Sequence, residues 1–462
     1  MDRNRRRFLQ AAAAGGVVYA FGRTPGTVYA QMAGTGGFPD YKALVCVFLF
    51  GGNDSWNMVI PRTPAEYDAY AASRGGAAPT GLAVPLGTEL PIDPIGTTGA
   101  PFGLHPSLAE LAALFQAQHA AIVPNVGPLI TPTSLAQYAA GSVALPPQLF
   151  SHNDQQDQWH TLKGRNQSKS GWAGRIADVL ASQLPNQQLA TNVSLAGNTL
   201  FQASDTVSPY VMGASGATTF TGFATSGTGL ARKQAVDAIS GANYGTVYER
   251  GIAAVQKRAI QFADSINTAI MGAPALTTVF PANNVLATQL QTVAKLIAVR
   301  DRLSMSRQVF FVSVGGYDTH TNLLTDQPGL LSSVSRAMAA FYNATVELGV
   351  ANMVTAFTQS DFGRTLTSNG QGADHAWGGI QFVVGGAVQG QKFYGTMPNP
   401  RVRATLAADG ADDVGGGRFI PTTSSDQYAA TLAKWFGVND ANLPTVAPSI
   451  GNFAVKNLGI LG

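Results

Sequence analysis

The chain has 462 residues, of which 12% are charged, and it contains 52 glycines, 25 prolines and a single cysteine. Cys46 has no partner for an intrachain disulfide, so an exported form of this chain must rely on its hydrophobic core for stability. The length is sufficient for one large α/β domain or two smaller ones. The many glycines and prolines are typical of a compact protein that is rich in loops.

The N-terminus has the composition of an export signal. Asn4-Arg5-Arg6-Arg7-Phe8-Leu9-Gln10 precedes a short apolar stretch, and Val28-Tyr29-Ala30 offers a cleavage point. The paired arginines before Phe8-Leu9 resemble the twin-arginine signal, which a receptor reads and which is not a membrane anchor. We therefore predict a signal peptide over residues 1–30, passage through the twin-arginine translocase, and a periplasmic or secreted mature protein. The alternative is a disordered basic tail, which would need neither the apolar stretch nor the cleavage point.

Loss of residues 1–30 changes the charge balance of the chain. The segment contains five arginines and one aspartate, so its removal lowers the formal net charge from +3 to −1. A chain with nearly balanced charge has no basic excess that would attract nucleic acid or an anionic membrane. We therefore predict no nucleic-acid partner and no stable membrane anchor.

Apolar runs alternate with helical patterns along the mature chain. Residues 42–50 form a continuous apolar run that ends at Gly51-Gly52, which is typical of a strand buried on both faces. Further elements are predicted in chain order: helix 108–118, strand 120–126, helix 173–184, strand 190–195, helices 231–270 and 284–304, strand 308–314, helix 329–348, strands 352–358 and 380–384, and helix 424–436. This succession predicts βαβ units, and therefore a mostly parallel sheet with helices on both faces.

Residues 197–230 differ in composition from the rest of the chain, since they are rich in Gly, Ala, Ser and Thr with scattered aromatic residues. Such a segment is either an extended hairpin or a flap over a site. We predict one large α/β domain over residues 31–462, with a flap-like or helical insertion around residues 197–304.

Three predicted strands are followed closely by an aspartate. The segments Gly51-Gly52-Asn53-Asp54, Gly315-Gly316-Tyr317-Asp318 and Gln359-Ser360-Asp361 each follow an apolar run, and a glycine-rich loop contains Asp374 and His375. The carboxyl ends of parallel strands meet at one edge of a sheet, where ligands bind. Carboxylates crowded at such an edge repel one another, and a divalent cation offsets that repulsion.

Histidines close to these aspartates supply further ligands. His320 follows Asp318 by two residues, His375 follows Asp374 directly, and His152 lies in another polar cluster. A mixed set of Asp and His ligands suits Zn²⁺ or Mn²⁺ better than a calcium site. We predict a divalent metal at the strand ends, and two ions about 4 Å apart would suit the displacement of an ester.

The sequence also resembles a known family over essentially the whole mature chain. The resemblance is carried by residues 48–54, 102–106, 151–155, 171–172, 317–320, 361–365 and 374–379. The sequence is similar to the twin-arginine-exported family called domain of unknown function 1501, which is placed near the alkaline phosphatase and sulfatase superfamily. This resemblance implies a three-layer α/β/α sandwich that is alkaline-phosphatase-like, with metals at the strand ends.

The resemblance also implies roles for individual residues. Metal ligands would be Asp54, Asp318, His320, Asp361 and His375, while Ser151 would match the nucleophile at a helix start. Active relatives carry Asp-His where this chain has Asp361-Phe362, so Asp374 is the candidate to replace the missing ligand. Because one ligand of the active relatives is missing, the resemblance leaves open whether the site holds two ions, one ion or none. The chain has no sulfatase-type activation motif, which argues against a formylglycine sulfatase.

Several of these residues have a structural alternative. Asp54 could cap the next helix, and Ser151 with Asp154 resembles a variant of the capping box. Arg364 could bind an anionic substrate oxygen and serve in catalysis, or it could pair with Asp361 as a structural bridge.

Two functions remain open from the sequence. The first is an exported metal-dependent hydrolase that acts on a small anionic ester, such as a phosphate ester. The second is a non-catalytic periplasmic protein that keeps the fold and binds a partner or a glycan. A redox enzyme is disfavoured because the chain has no cysteine cluster, no haem motif and no Gly-x-Gly-x-x-Gly after the first strand.

Overall fold

The computed structural model describes residues 37–99, 101–166, 168–184, 189–214, 216–217, 222–400 and 412–462. The predicted signal peptide lies outside these residues. Within the described ranges, no helix is both long and apolar enough to cross a membrane.

The strands, in chain order, are β1 (Lys42–Leu49), β2 (Val59–Pro61), β3 (Leu90–Ile92), β4 (Phe102–Leu104), β5 (Ala120–Gly127), β6 (Asn192–Ser194), β7 (Tyr210–Val211), β8 (Arg307–Val314), β9 (Val354–Ser360), β10 (Arg364–Ser368), β11 (Ala373–His375), β12 (Gly379–Gly385) and β13 (Thr423–Ser424). The α-helices are α1 (Pro64–Ser73), α2 (Ala109–Gln116), α3 (Leu135–Ala140), α4 (His152–Thr161), α5 (Trp172–Leu180), α6 (Gly227–Gly241), α7 (Val247–Met271), α8 (Val285–Ala298), α9 (Leu323–Glu347), α10 (Ser425–Phe436) and α11 (Leu443–Val446).

The main sheet of the described chain has eight strands in the order β13-β5-β12-β9-β1-β8-β6-β7. β1 lies at its centre and pairs in parallel with both β8 and β9. β12 is antiparallel to both of its neighbours, β5 and β9, while the other pairs within this sheet are parallel. The predicted mostly parallel sheet is therefore confirmed.

Helices cover both faces of this sheet. Along β1, Ala43, Val45 and Val47 pack on one face with α2, α8 and α9, and alternate residues such as Leu44 and Phe48 pack on the other with α4, α5 and α10. A strand that is apolar at every position is buried on both faces, because successive side chains point to opposite sides of a sheet. The predicted α/β/α sandwich follows from this alternation.

The carboxyl ends of β1, β8 and β9 meet at one edge of the sheet. The antiparallel hairpin β10–β11 follows β9 directly, and Arg364 holds it at this edge by donating hydrogen bonds to the carbonyl oxygens of Gly51 and Gly52, which follow β1. β5 runs in the same direction as β1, and the chain that follows it leads to α4 at the same edge. Residues that are far apart in sequence are thereby brought together.

Some predicted elements differ from the observed ones. Residues 231–270 were expected to form one helix, but α6 ends at Gly241 and α7 begins at Val247. The break is stabilised by a capping box, in which the Thr246 hydroxyl accepts a hydrogen bond from the Glu249 amide and the Glu249 carboxylate accepts one from the Thr246 amide. The described part of segment 197–230 contains β7 and the start of α6.

Candidate metal centre

Four of the predicted ligands lie together at the carboxyl edge of the sheet. Asp318 and His320 lie in the turn after β8, His375 is the last residue of β11, and His152 is the first residue of α4. Because these positions lie on three separate segments, only the folded chain brings them together.

Three imidazole nitrogens surround a single oxygen of Asp318. Its Oδ1 lies 3.4 Å from Nε2 of His152, 3.2 Å from Nε2 of His320 and 3.5 Å from Nε2 of His375. The ligand atoms of His152, Asp318 and His375 all lie within 4.8 Å of one another, and His320 is not a member of this group. Tetrahedral bonds of about 2.0–2.1 Å to a zinc ion would separate neighbouring ligand atoms by about 3.3 Å. The distances to Asp318 therefore suit a single cation.

The opposite nitrogen of each ring determines where its proton resides. Nδ1 of His152 lies 2.7 Å from Oδ2 of Asp361, Nδ1 of His320 lies 3.0 Å from Oδ1 of Asp374, and Nδ1 of His375 lies 2.7 Å from the carbonyl oxygen of Phe150. Carboxylates and carbonyls accept hydrogen bonds, so each Nδ1 carries the proton and a neutral ring keeps a lone pair on Nε2. This outer arrangement is the usual one for histidines that bind metal.

The contact between two of these rings also favours a cation. Nε2 of His320 lies 2.8 Å from Nε2 of His375, although the partners of Nδ1 leave both nitrogens as acceptors. Two lone pairs at this distance repel each other, and a metal ion or an added proton removes the repulsion. Nε2 of His152 is buried and has no hydrogen-bond partner within the described chain. The cluster thus offers three nitrogens to one electrophile.

Arg364 holds the carboxylate at the centre of the cluster. Its guanidinium donates to Asp318, to the carbonyl oxygens of Gly51 and Gly52, and to that of Ala373. Partial burial raises the pKa of Asp318, but the hydrogen bond and charge of Arg364 outweigh it, so the pKa stays below its usual value. Arg364 is itself buried, and its donors are directed at protein oxygens. It therefore positions Asp318 and does not face solvent.

The electrostatics of the neighbouring groups agree with this arrangement. The hydrogen bond from Asn369 is the main cause that lowers the pKa of Asp374, and His320 and Arg418 add to it. Burial is the main cause that lowers the pKa of His375, with the charges of His152 and Arg364 adding to it. A neutral His375 and an ionised Asp374 are the states that metal ligation needs.

The structure places the remaining predicted residues differently. Asp361 is fully buried and contacts His152 through Oδ2, which also accepts hydrogen bonds from Gln156 and Gly51. Within the described chain, Asp54 makes no ion pair with these histidines and instead forms a buried ion pair with Arg74. Asp361 and Asp374 thus lie behind the histidines, and Asp54 lies outside the cluster.

Ser151 precedes His152 at the start of α4. Its hydroxyl donates to Oδ2 of Asp154 at 2.6 Å and makes no capping hydrogen bond with the helix backbone. The expected capping box is therefore incomplete, and what is present is a contact between a hydroxyl and a carboxylate.

Comparison with known proteins identifies the family. Residues 41–442 match the model of the family described as "Protein of unknown function (DUF1501)". The chain belongs to this family. No curated protein sequence matches it.

Solved structures that are similar to this DUF1501 chain share little sequence with it. A PsFucS1 sulfatase from Pseudoalteromonas sp. is 9% identical, with 97% of this chain and 77% of that chain covered and a TM-score of 0.34. A protein in the alkaline phosphatase superfamily from Vibrio parahaemolyticus is 11% identical, with 91% and 78% covered and a TM-score of 0.32. The soluble domain of lipooligosaccharide phosphoethanolamine transferase A from Neisseria meningitidis is 9% identical, with 93% and 96% covered and a TM-score of 0.34. At this level of likeness no activity is transferred to the DUF1501 chain.

Phe362 takes an unexpected place in the site of the DUF1501 chain. Its buried ring lies 4.8 Å from the ring of His152 and 4.6 Å from that of His375, measured between centroids. The position where the resemblance implies a histidine ligand is therefore an apolar wall against two of the imidazoles.

Arg418 was missed by the sequence analysis. It lines an open cavity of about 450 Å³ together with Tyr138, Phe150, His320, Asp374, His375 and Val414. Arg418 follows three consecutive glycines and no strand, so neither periodicity nor a strand end marks it. The Phe150 carbonyl was missed for another reason, since a backbone group leaves no signal in the choice of residue.

Proposed function

We propose that this protein is a hydrolase of phosphate or related esters that uses a single divalent cation. One observation carries the proposal: three Nε2 atoms surround one oxygen of Asp318, with each Nδ1 held by an acceptor behind it. Such a set favours a borderline ion such as Zn²⁺ or Mn²⁺. The Phe362 ring beside His152 and His375 supports one ion over two, because it offers no ligand atom on that side.

The groups that contact the candidate ligands orient those ligands and do not themselves react. Asp361, Asp374 and the Phe150 carbonyl fix the ring orientations of the histidines, and Arg364 fixes Asp318. His152, His320, His375 and Asp318 are the residues that would hold a divalent cation, which would supply polarisation of an ester oxygen and stabilisation of the negative charge on it. The adjoining cavity gives a substrate access to His320 and His375.

Ser151 is the nucleophile that we assign within this proposal. It lies at the start of α4, one residue before His152, and its hydroxyl donates to Oδ2 of Asp154. Asp154 is thus in position to accept the hydroxyl proton as the Ser151 oxygen bonds to the phosphorus and the alcohol group of the ester leaves with the electron pair of the broken bond; a water molecule then cleaves the ester formed on Ser151. Replacement of Ser151 by Ala should abolish turnover and leave metal content unchanged, as measured by ester hydrolysis beside elemental analysis. Retained turnover would mean that water attacks directly.

Export through the twin-arginine translocase is a separate proposal. It is supported by Arg5-Arg6 ahead of Phe8-Leu9 in the N-terminal segment. In the full chain, replacement of Arg5 and Arg6 by Lys should prevent accumulation in the periplasmic fraction. Unchanged export of this variant would contradict the proposal.

The experiment that tests the metal centre is elemental analysis of the purified mature protein beside Asp318→Ala and His320→Ala variants. We expect close to one Zn or Mn per chain in the parent protein, and loss of most of it in both variants. His119→Ala is the matched control, because His119 stacks on Tyr342 away from the cluster. Metal that is absent from the parent, or unchanged in the two variants, would contradict the proposal. Metal without hydrolysis of any phosphate or sulfate ester would favour a binding protein instead.

A further inference from the structure

The cavity beside the cluster contains one arginine whose donors are only partly used. Nε of Arg418 donates to the carbonyl oxygen of His375 at 2.9 Å, and Nη1 donates to that of Gly415 at 3.0 Å. Within the described chain, Nη2 makes no hydrogen bond. Arg418 is half-buried, and its guanidinium lies over the Phe150 ring at 5.6 Å. An arginine with a spare donor at the wall of a cavity is suited to bind an anion.

The loop that presents Arg418 is fixed by a buried carboxylate. Oδ1 of Asp413 accepts hydrogen bonds from the amides of Gly415, Gly417 and Arg418 at 2.8, 2.9 and 3.0 Å. The Gly417 carbonyl also accepts from the amide of Leu366, which ties the loop to β10. A cation on a fixed loop loses little conformational entropy when it binds a ligand, so its position is already organised for binding.

The other arginine near the cluster is not available for this role. Every nitrogen of the Arg364 guanidinium donates to a protein oxygen, and the side chain is buried. Arg418 therefore differs from Arg364 in having both access to the cavity and an unused donor.

The charge of the site favours an anionic ligand more strongly when a cation is present. Three carboxylates, Asp318, Asp361 and Asp374, face two guanidinium groups, so the formal sum is −1. A divalent ion changes this sum to +1, which attracts an anion to the cavity. The Asp374 carboxylate lines the cavity, but it accepts hydrogen bonds from His320 and Asn369, which offset part of its charge.

We propose that Arg418 binds the tetrahedral oxyanion of the substrate, a phosphate or sulfate monoester, and that the organic group of this ester packs on the rings of Tyr138 and Phe150. The inference rests on the proposed function, because the ester bond must lie between Arg418 and the metal ligands. A sugar or aromatic ring is the group that aromatic walls favour.

Titration with inorganic phosphate tests the role of Arg418 directly. In metal-loaded protein, we expect the Kd for phosphate to rise roughly 10- to 100-fold in Arg418→Gln and less in Arg418→Lys, because a charge-assisted hydrogen bond is lost. Arg336→Gln is the control, since Arg336 is exposed on α9. Circular dichroism and elemental analysis must show an unchanged fold and metal content. Equal phosphate affinity in Arg418→Gln and the parent, or no phosphate binding by the parent, would overturn the inference.

Two further arms separate the possible outcomes. If the parent protein takes up no metal, the proposed function fails, and a loss of phosphate affinity in metal-free Arg418→Gln would still support the anion site. Phenyl phosphate and phenyl sulfate, titrated in parallel, show which oxyanion is preferred. Tyr138→Ala should weaken binding of phenyl phosphate several-fold and leave inorganic phosphate unaffected. Equal weakening of both ligands would overturn the part of the proposal that concerns the ring.

Discussion

Two neighbouring strands end in nearly the same sequence and lead to different environments. β1 is followed by Gly51-Gly52-Asn53-Asp54, and β8, its parallel neighbour, is followed by Gly315-Gly316-Tyr317-Asp318. Each aspartate pairs with an arginine, which is Arg74 in the first case and Arg364 in the second. The Asp54 side chain is 0% exposed, whereas that of Asp318 is 52% exposed.

The difference lies in what surrounds each carboxylate. Oδ2 of Asp54 accepts from Arg74 at 2.8 Å, and its Oδ1 accepts from Arg74 and from the amides of Trp56 and Asn57. That carboxylate is fully buried and its charge is paired with Arg74. Asp318 instead meets three imidazole nitrogens. A strand-end aspartate is thus made structural or functional by residues distant in the sequence.

The approach of the two strand ends also depends on glycine. A Cβ at Gly51, where φ is +119°, would lie 2.4 Å from the amide nitrogen of Asp318. The turn after β1 therefore sits directly against the turn that carries the ligand.

The largest expected effect is on stability, when the buried ion pair is broken. Arg74→Met leaves the Asp54 carboxylate buried without its partner, and we expect the free energy of unfolding to fall by about 3–5 kcal/mol. Urea denaturation measures this change, and Arg336→Met is the control because Arg336 is exposed. Folded Arg74→Met should keep its metal. If it lost metal and kept its stability, Asp54 would belong to the functional site and the comparison would fail.

A smaller effect is expected when the support of a ligand is removed. Asp374→Ala takes away the acceptor of Nδ1 of His320 and should weaken metal binding about 10- to 100-fold. Competition with a chelator measures this affinity. The Asp374 side chain is 48% exposed, so stability in the absence of metal should change little. A large loss of metal-free stability with unchanged metal affinity would assign Asp374 to the structural class with Asp54.

The central sheet could be predicted because its signals are local. The continuous apolar run of β1 indicates burial on both faces, and the alternation with helices indicates parallel pairing. The antiparallel direction of β12 could not be predicted, since an apolar strand has the same pattern in either direction. The break between α6 and α7 had a local signal in Thr246 and Glu249, which form a capping box.

The candidate site could be predicted only where its residues follow strands. Asp318 and His320 carry that signal, and the structure brings them together with His152 and His375. Asp54 carries the same signal and lies outside the cluster, because its partner Arg74 comes from α1's C-terminal end. Arg418 carries no such signal. Its position depends on the hydrogen bonds of Asp413, which sequence spacing does not reveal.

Helix α4 carries two histidines that differ in the same way as the two aspartates. The expected effect on stability is the smallest of those predicted. His152 starts this helix and contacts Asp361, whereas His160, near its other end, is buried beside the rings of Phe48 and Phe311. Nε2 of His160 has no hydrogen-bond partner within the described chain, and burial lowers the pKa of His160 to about 3. A buried histidine with no acceptor to fix its ring therefore serves in core packing and not as a metal ligand.

The consequence is that the free energy of unfolding decreases as the pH is lowered. In the unfolded chain the pKa of His160 is near 6.5, so below that pH the unfolded state binds a proton. The folded state does not bind this proton until the pH reaches about 3. At about pH 5.5 this costs the folded state about 1.4 kcal/mol compared with about pH 7.5. His160→Leu removes the titrating group, so the difference in unfolding free energy between these two pH values, measured by urea denaturation, should shrink by about that amount. His119→Leu serves as the control, because His119 is only half-buried and stacks on Tyr342, away from the rings of Phe48 and Phe311. An identical pH dependence in His160→Leu and the parent would show that His160 is protonated in the fold, and so would require a partner for it.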